Sequence, residues 1–264
     1  MRSLWALGAA ALWLAAAEVG ADGGRVPPER GLAGCEQAVT AARAELAAAP
    51  DDPERQLALA DALECVMRIR TNGNALLVDG GSDTPEHRAV WRAMAPEAVR
   101  LARTGRSKRP DDPWALAVYT EAYMYDASSQ GIVEAILKGA AGEYKRNAQE
   151  LIDRFPRYEN GGGYVFLGSF YFVAPWPLAD PSKGRGLLEQ ALAVAPASRR
   201  NLYFAGVAAY RVEDYARAAA HFEAVASGTC TTPNERDLCA FVTAESQRLA
   251  PLARTQAGSV ESAR

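Results

Sequence analysis

The sequence predicts an all-α protein of stacked helical hairpins, tetratricopeptide-like in arrangement, and three observations carry that prediction. Alanine supplies 54 of the 264 residues while Val, Ile and Thr are sparse, which favours helix over strand. Apolar residues make up 49% of the chain, enough to bury a sizeable core and to exclude wholesale disorder. Prolines 50, 110, 156 and 196 each follow a helical stretch, and the first two continue identically as Asp51-Asp52-Pro53 and Asp111-Asp112-Pro113. Proline just past a helix stops it, and Asp-Pro opens the next with a capping carboxylate and a ring already set at the helical φ. Each marker is therefore a turn between two helices.

Taken in order, residues 1–21 read as an export signal. Arg2 gives a positive start, residues 4–17 form an apolar run, and Val19-Gly20-Ala21 or Ala15-Ala16-Ala17 offers small residues for cleavage. That run of 14 residues rises only ~21 Å as a helix, short of the ~30 Å hydrocarbon core, so a permanent anchor is the weaker reading. Residues 22–34 are expected to be a flexible leader. Within it and just after, Leu32-Ala33-Gly34-Cys35 matches a lipobox, at which the cysteine of a bacterial lipoprotein is acylated. Acylation of Cys35 would tether the exported protein to a membrane; the alternative is that Cys35 is a half-cystine.

The helical domain is expected over 35–252, with helices at about 35–49, 53–70, 84–104, 113–128, 132–154, 163–173, 181–194, 198–211, 213–227 and 233–249. Gly, Asp and Ser make 71–83 an exposed loop. Residues 253–264 lack apolar periodicity and are expected to be a disordered tail. The segment 164–173 has strand-like composition, yet its length and flanks favour a buried helix that is apolar all round. Export brings the four cysteines into an oxidising compartment. An antiparallel hairpin of the first two helices sets Cys35 beside Cys65, and Cys230 with Cys239 closes a short loop. Zinc is the rival reading, which neither the spacing nor the histidines support.

A formal charge of -3, with 29 basic and 32 acidic residues intermixed, gives no field to gather nucleic acid. Neither a cofactor nor a metal centre is expected. Gly161-Gly162-Gly163 lacks the order and the Lys-Ser or Lys-Thr of a phosphate loop, so backbone freedom and close helix packing explain it. The two histidines, His87 and His221, lie in no hydrolase or metalloprotease motif, which leaves a helical enzyme using either one as the rival from another class. The paired aspartates act as helix starters. Aromatic residues concentrate in the middle of the chain. Trp114, Tyr123, Tyr164, Tyr171 and Trp176 are the candidate ligand- or partner-binding residues, projecting onto the concave face that stacked hairpins create. Trp176, between two prolines in an insertion, is the strongest of them.

The clearest repeat spans 199–228. Leu202, Ala205, Gly206, Ala209, Tyr215, Ala218 and Phe222 fall at tetratricopeptide spacings, where small residues let helices cross closely and large ones fill between. The stretch 158–226 carries a further likeness, in Tyr158-Glu159-Asn160-Gly161-Gly162-Gly163, Leu167-Gly168, Ala174-Pro175-Trp176-Pro177, Leu188-Glu189-Gln190-Ala191-Leu192 and Ala195-Pro196. It resembles the T component associated with tripartite ATP-independent periplasmic (TRAP) transporters. That resemblance implies a non-enzymatic periplasmic protein that forms a homo-oligomer and docks a solute-binding protein of the transport system around an apolar ligand. The expected function is partner binding through the concave face and the Trp176 loop, with an apolar small-molecule or lipid carrier as the alternative.

Overall fold

The computed structural model describes residues 31–262, so the expected export signal and most of the leader lie outside the described residues. Eleven α-helices are present among them: α1 (Gly31–Ala48), α2 (Pro53–Arg70), α3 (Pro85–Lys108), α4 (Pro113–Ser128), α5 (Ile132–Leu137), α6 (Ala140–Arg154), α7 (Gly162–Val173), α8 (Pro181–Val194), α9 (Arg199–Arg211), α10 (Tyr215–Ala224) and α11 (Pro233–Ser262). Consecutive helices pack on one another, giving an all-α stack of helical hairpins. The Asp-Pro signals act as read: the carboxylates of Asp52 and Asp112 accept from the backbone N–H of Glu54 and Trp114, both at 2.9 Å, with Pro53 and Pro113 starting α2 and α4.

Glycine sets the helix crossings where the repeat spacing requires it. A Cβ on Gly206 would come within 2.6 Å of the Phe222 ring, and one on Gly168 within 2.8 Å of the Leu188 side chain. At the head of α7 the three glycines serve the backbone: Gly161 sits at φ +82°, and Gly163 lies against Leu151 and the Ala148 carbonyl of α6. Both cystines form as the hairpins place them, Cys35 with Cys65 and Cys230 with Cys239, at Cα separations of 5.7 and 6.1 Å. The sulfur that acylation of Cys35 would need is thus bonded to Cys65.

Four expectations need correction. The segment at 71–83 is no exposed loop: a 3₁₀ turn at Asn72–Asn74 leads into a hairpin of β1 (Leu76–Leu77) and β2 (Gly80–Gly81). Leu76 is buried there, and the Tyr203 hydroxyl of α9 donates to its carbonyl at 3.1 Å. The helix expected over 132–154 breaks in two, because Gly139 adopts the left-handed conformation at φ +85°. At the start, residues 31–34 of the expected leader already belong to α1. The expected disordered tail is helical to Ser262, continuing through Pro251 because Ala253 is fully buried against the C-terminal core and Arg254 pairs with Glu223 at 2.7 Å. Tertiary packing outweighs the single hydrogen bond that Pro251 removes.

Candidate functional site

Two recesses, each partly open to solvent, are lined by residues from the middle of the stack, and their chemistry differs. The first is polar. Asp61, Glu64 and Arg68 form one stripe of α2, and α4 presents Glu121 and Tyr125 to it. The Arg68 guanidinium donates to both oxygens of Glu121, each at 2.9 Å, and to Asp237 of α11. Glu121 also accepts from the Tyr125 hydroxyl at 3.0 Å and the Asn234 amide at 3.1 Å. Nearby, Arg200 of α9 donates to the Glu159 carbonyl at 2.5 Å and to Asn234 at 3.1 Å, while Ser198 and Asn160 donate to Glu235. Burial pushes the Glu64 carboxyl well above the usual carboxylate range, with the charges of Glu121 and Asp61 adding to it. Arg68 moves the other way from what burial alone dictates, because Glu121 and Asp237 hold its proton firmly.

The space these groups leave has a volume of about 40 Å³, room for a few water molecules and no more. Its role is evident from what it ties: residues from α2, α4 and α11 converge on one guanidinium, so the last helix is fastened to the first hairpins. Trp114 belongs to this wall. Expected on a concave binding face, it is instead buried, with its Nε1 donating to Asp61 at 3.1 Å.

The second space is an apolar cavity of about 420 Å³. Met124 and Ala127 of α4, Ile136 of α5, Ala141 and Tyr144 of α6, and Phe170 and Phe172 of α7 form its walls, and Leu76 of the small hairpin closes one side. Tyr144 is held by a hydrogen bond from its hydroxyl to the Phe166 carbonyl at 3.2 Å, and by its ring against Phe170 at 5.9 Å. Helix α5 covers the cavity between two glycines in positive-φ conformations, Gly131 and Gly139, and turns Val133 and Leu137 outward to solvent. A volume of this size, walled by aromatic and aliphatic groups, matches small-molecule sites rather than packing defects. The polar groups at its edge, Ser169 and Arg211, had no signature in the sequence.

The other aromatic candidates divide. Tyr171 is buried, in edge contact with Phe170 at 5.6 Å and under the Lys183 ammonium at 4.7 Å, which corrects its expected exposure. Tyr123 and Tyr164 are half-buried and pack against core clusters. Trp176 alone of the five stands free, 89% exposed. Its loop is shaped by backbone hydrogen bonds from Leu178 to the Pro175 carbonyl and from Asp180 to the Tyr171 carbonyl, at 2.9 and 3.0 Å. The five residues therefore do not gather into one site.

The histidines occupy separate environments. His87 Nδ1 lies 2.6 Å from the Ser82 carbonyl, to which it donates, and its ring lies 5.9 Å from Trp91. His221, on α10, has its pKa lowered by burial and by Arg217. Among the described residues, the one trio with metal-ligand proximity is Cys35, Cys65 and Asp237, whose sulfurs are bonded to each other and whose carboxylate holds Arg68.

No family model and no curated protein matches this chain. The likeness to the TRAP T component therefore stands on its motif residues alone.

Proposed function

We propose that this chain is a non-enzymatic binding protein that holds an apolar small molecule in the cavity beneath α5. One observation carries the reading: a stack otherwise close-packed to the limit that Gly168 and Gly206 allow leaves about 420 Å³ open behind apolar walls. A recess of this size, walled mainly by aromatic and aliphatic groups with a few polar groups at its edge, has the make-up of a small-molecule site. The alternative named from the sequence, an apolar carrier, thus moves ahead of partner docking, because Trp114 and Tyr171 are core residues. Export to the periplasm belongs to the same proposal, and the two cystines are compatible with it. Native mass spectrometry of the purified protein tests the reading. A co-purifying lipid mass is expected, and Ala141→Phe, which fills the cavity, should lose it. A bare wild-type mass that stays bare after incubation with a lipid extract overturns the reading.

Trp176 favours a second reading on the same scaffold, docking of a partner protein. An ordered loop that holds a Trp 89% exposed presents a large apolar anchor at little further entropic cost. Together with the TRAP resemblance and the tetratricopeptide spacing, this supports a solute-binding protein as the partner. Trp176→Ala should weaken capture of that partner while changing the unfolding free energy by no more than the ~0.5 kcal/mol typical of surface changes. Undiminished capture by the variant would remove this reading and leave the cavity untouched.

A further inference from the structure

The polar groups bordering the cavity are mostly satisfied within the protein. Asn74 donates to the Ser128 hydroxyl at 3.1 Å and accepts from Ser82 at 3.0 Å, and Asp83 is paired with Arg88 at 2.8 Å. Asp83 Oδ1 meets Arg88 as an ion pair without a hydrogen bond, and two groups are left with no partner of either kind. Nη1 of Arg211 and Oγ of Ser169 are both buried with no hydrogen-bond partner, and both residues line the cavity. Arg211 ends α9 and lies over the Phe172 ring at 5.5 Å, so its guanidinium is held beside the apolar wall. The charge of Asp79, in the turn of the small hairpin, acts on it with no hydrogen bond between the two among the described residues.

A buried donor without an acceptor is costly, and more so on a charged group such as the half-buried Arg211 guanidinium. What meets both vacant groups is an acceptor-only anion, since the guanidinium can only donate and the hydroxyl donates readily. A free ion in water would satisfy the head but leave the walls empty. A hydrocarbon would fill the walls but leave Arg211 and Ser169 unpaired. We propose that the cavity selects an anionic amphiphile of the fatty-carboxylate class, its tail against Met124, Ile136, Tyr144 and Phe170 and its head on Arg211 and Ser169. This rests on the reading of the cavity as a binding site and adds the chemistry that selects its ligand.

Three probes with one tail separate the two claims: dodecanoate, dodecanol and dodecyltrimethylammonium, titrated calorimetrically into delipidated protein. Dodecanoate should bind at least ~10-fold tighter than dodecanol, the contribution of one charge-assisted hydrogen bond. The ammonium should bind worst. Arg211→Met should erase the gap between acid and alcohol while leaving dodecanol affinity unchanged, which also shows that the variant is folded. Arg211→Lys should retain part of the gap, and Ser169→Ala should narrow it. Equal affinity for acid and alcohol, or a gap that survives Arg211→Met, overturns the head-group assignment while the cavity reading stands. Failure of all three probes to bind overturns both.

Discussion

The two recesses share the walls of α4 and α7 but treat their contents in opposite ways. Around Arg68 the protein brings carboxylates from α2, α4 and α11 to one guanidinium and leaves about 40 Å³. Beneath α5 it brings apolar side chains together and leaves about 420 Å³, with Arg211 Nη1 and Ser169 Oγ unpaired. Charge buried in the first place is used to fasten distant parts of the chain to one another. The second place keeps volume and two donors in reserve. Glu64 Oε1 also lacks a hydrogen-bond partner in the first place, but only the second has, beside its unpaired groups, the volume to admit something from outside.

The comparison is broken most severely at Arg68. Arg68→Met should cost about 3–5 kcal/mol, because Glu121 and Asp237 would stay buried without their cation. Chemical denaturation should show either that loss or a protein that no longer folds. A small effect would mean the polar centre is solvated and not a fastening. Next in size is Gly206→Leu, away from both spaces, where the added side chain meets the Phe222 ring and should cost about 1–3 kcal/mol. Melting unchanged by it would show that α9 and α10 do not cross as closely as described.

The smallest effect has the opposite sign. Burial raises the Glu64 pKa above its ordinary 4.5, so the folded state binds this proton more tightly than the unfolded chain does. Its contribution is intact below the unfolded value and is lost as pH rises from about 4.5 through the raised pKa. Glu64→Gln, neutral at every pH, should therefore melt higher than the wild type at pH 7 and lose the advantage at pH 4. Arg68 retains Glu121 and Asp237 in that variant, so the fastening survives. Thermal melts at the two pH values check the sign, and a variant less stable at pH 7 contradicts it.

Much of the fold was legible because its signals are local. Asp52 and Asp112 cap helices through their own backbone neighbourhood, and the order of the hairpins then places Cys35 beside Cys65. The fate of Pro251 was not legible, since what keeps α11 helical is Ala253 reaching a core assembled from distant residues. The polar centre left a trace that could have been read: Asp61, Glu64 and Arg68 share one face of a helix otherwise rich in Leu, Ala and Met, a pattern that asks for buried partners. The aromatic cluster misled because composition places Trp114 and Tyr171 in the middle of the chain without saying which way they face. Cavity walls drawn from α4, α5, α6, α7 and the small hairpin have no signature at all, because an empty volume is a property of packing and not of any residue.

The most direct test is the melting temperature of wild type and Ala141→Phe, each with and without saturating dodecanoate. A ligand that binds only the folded state raises its stability by mass action. The wild type should gain several degrees and the filled variant none. Equal gains in the two proteins, or none in either, would contradict a binding site beneath α5.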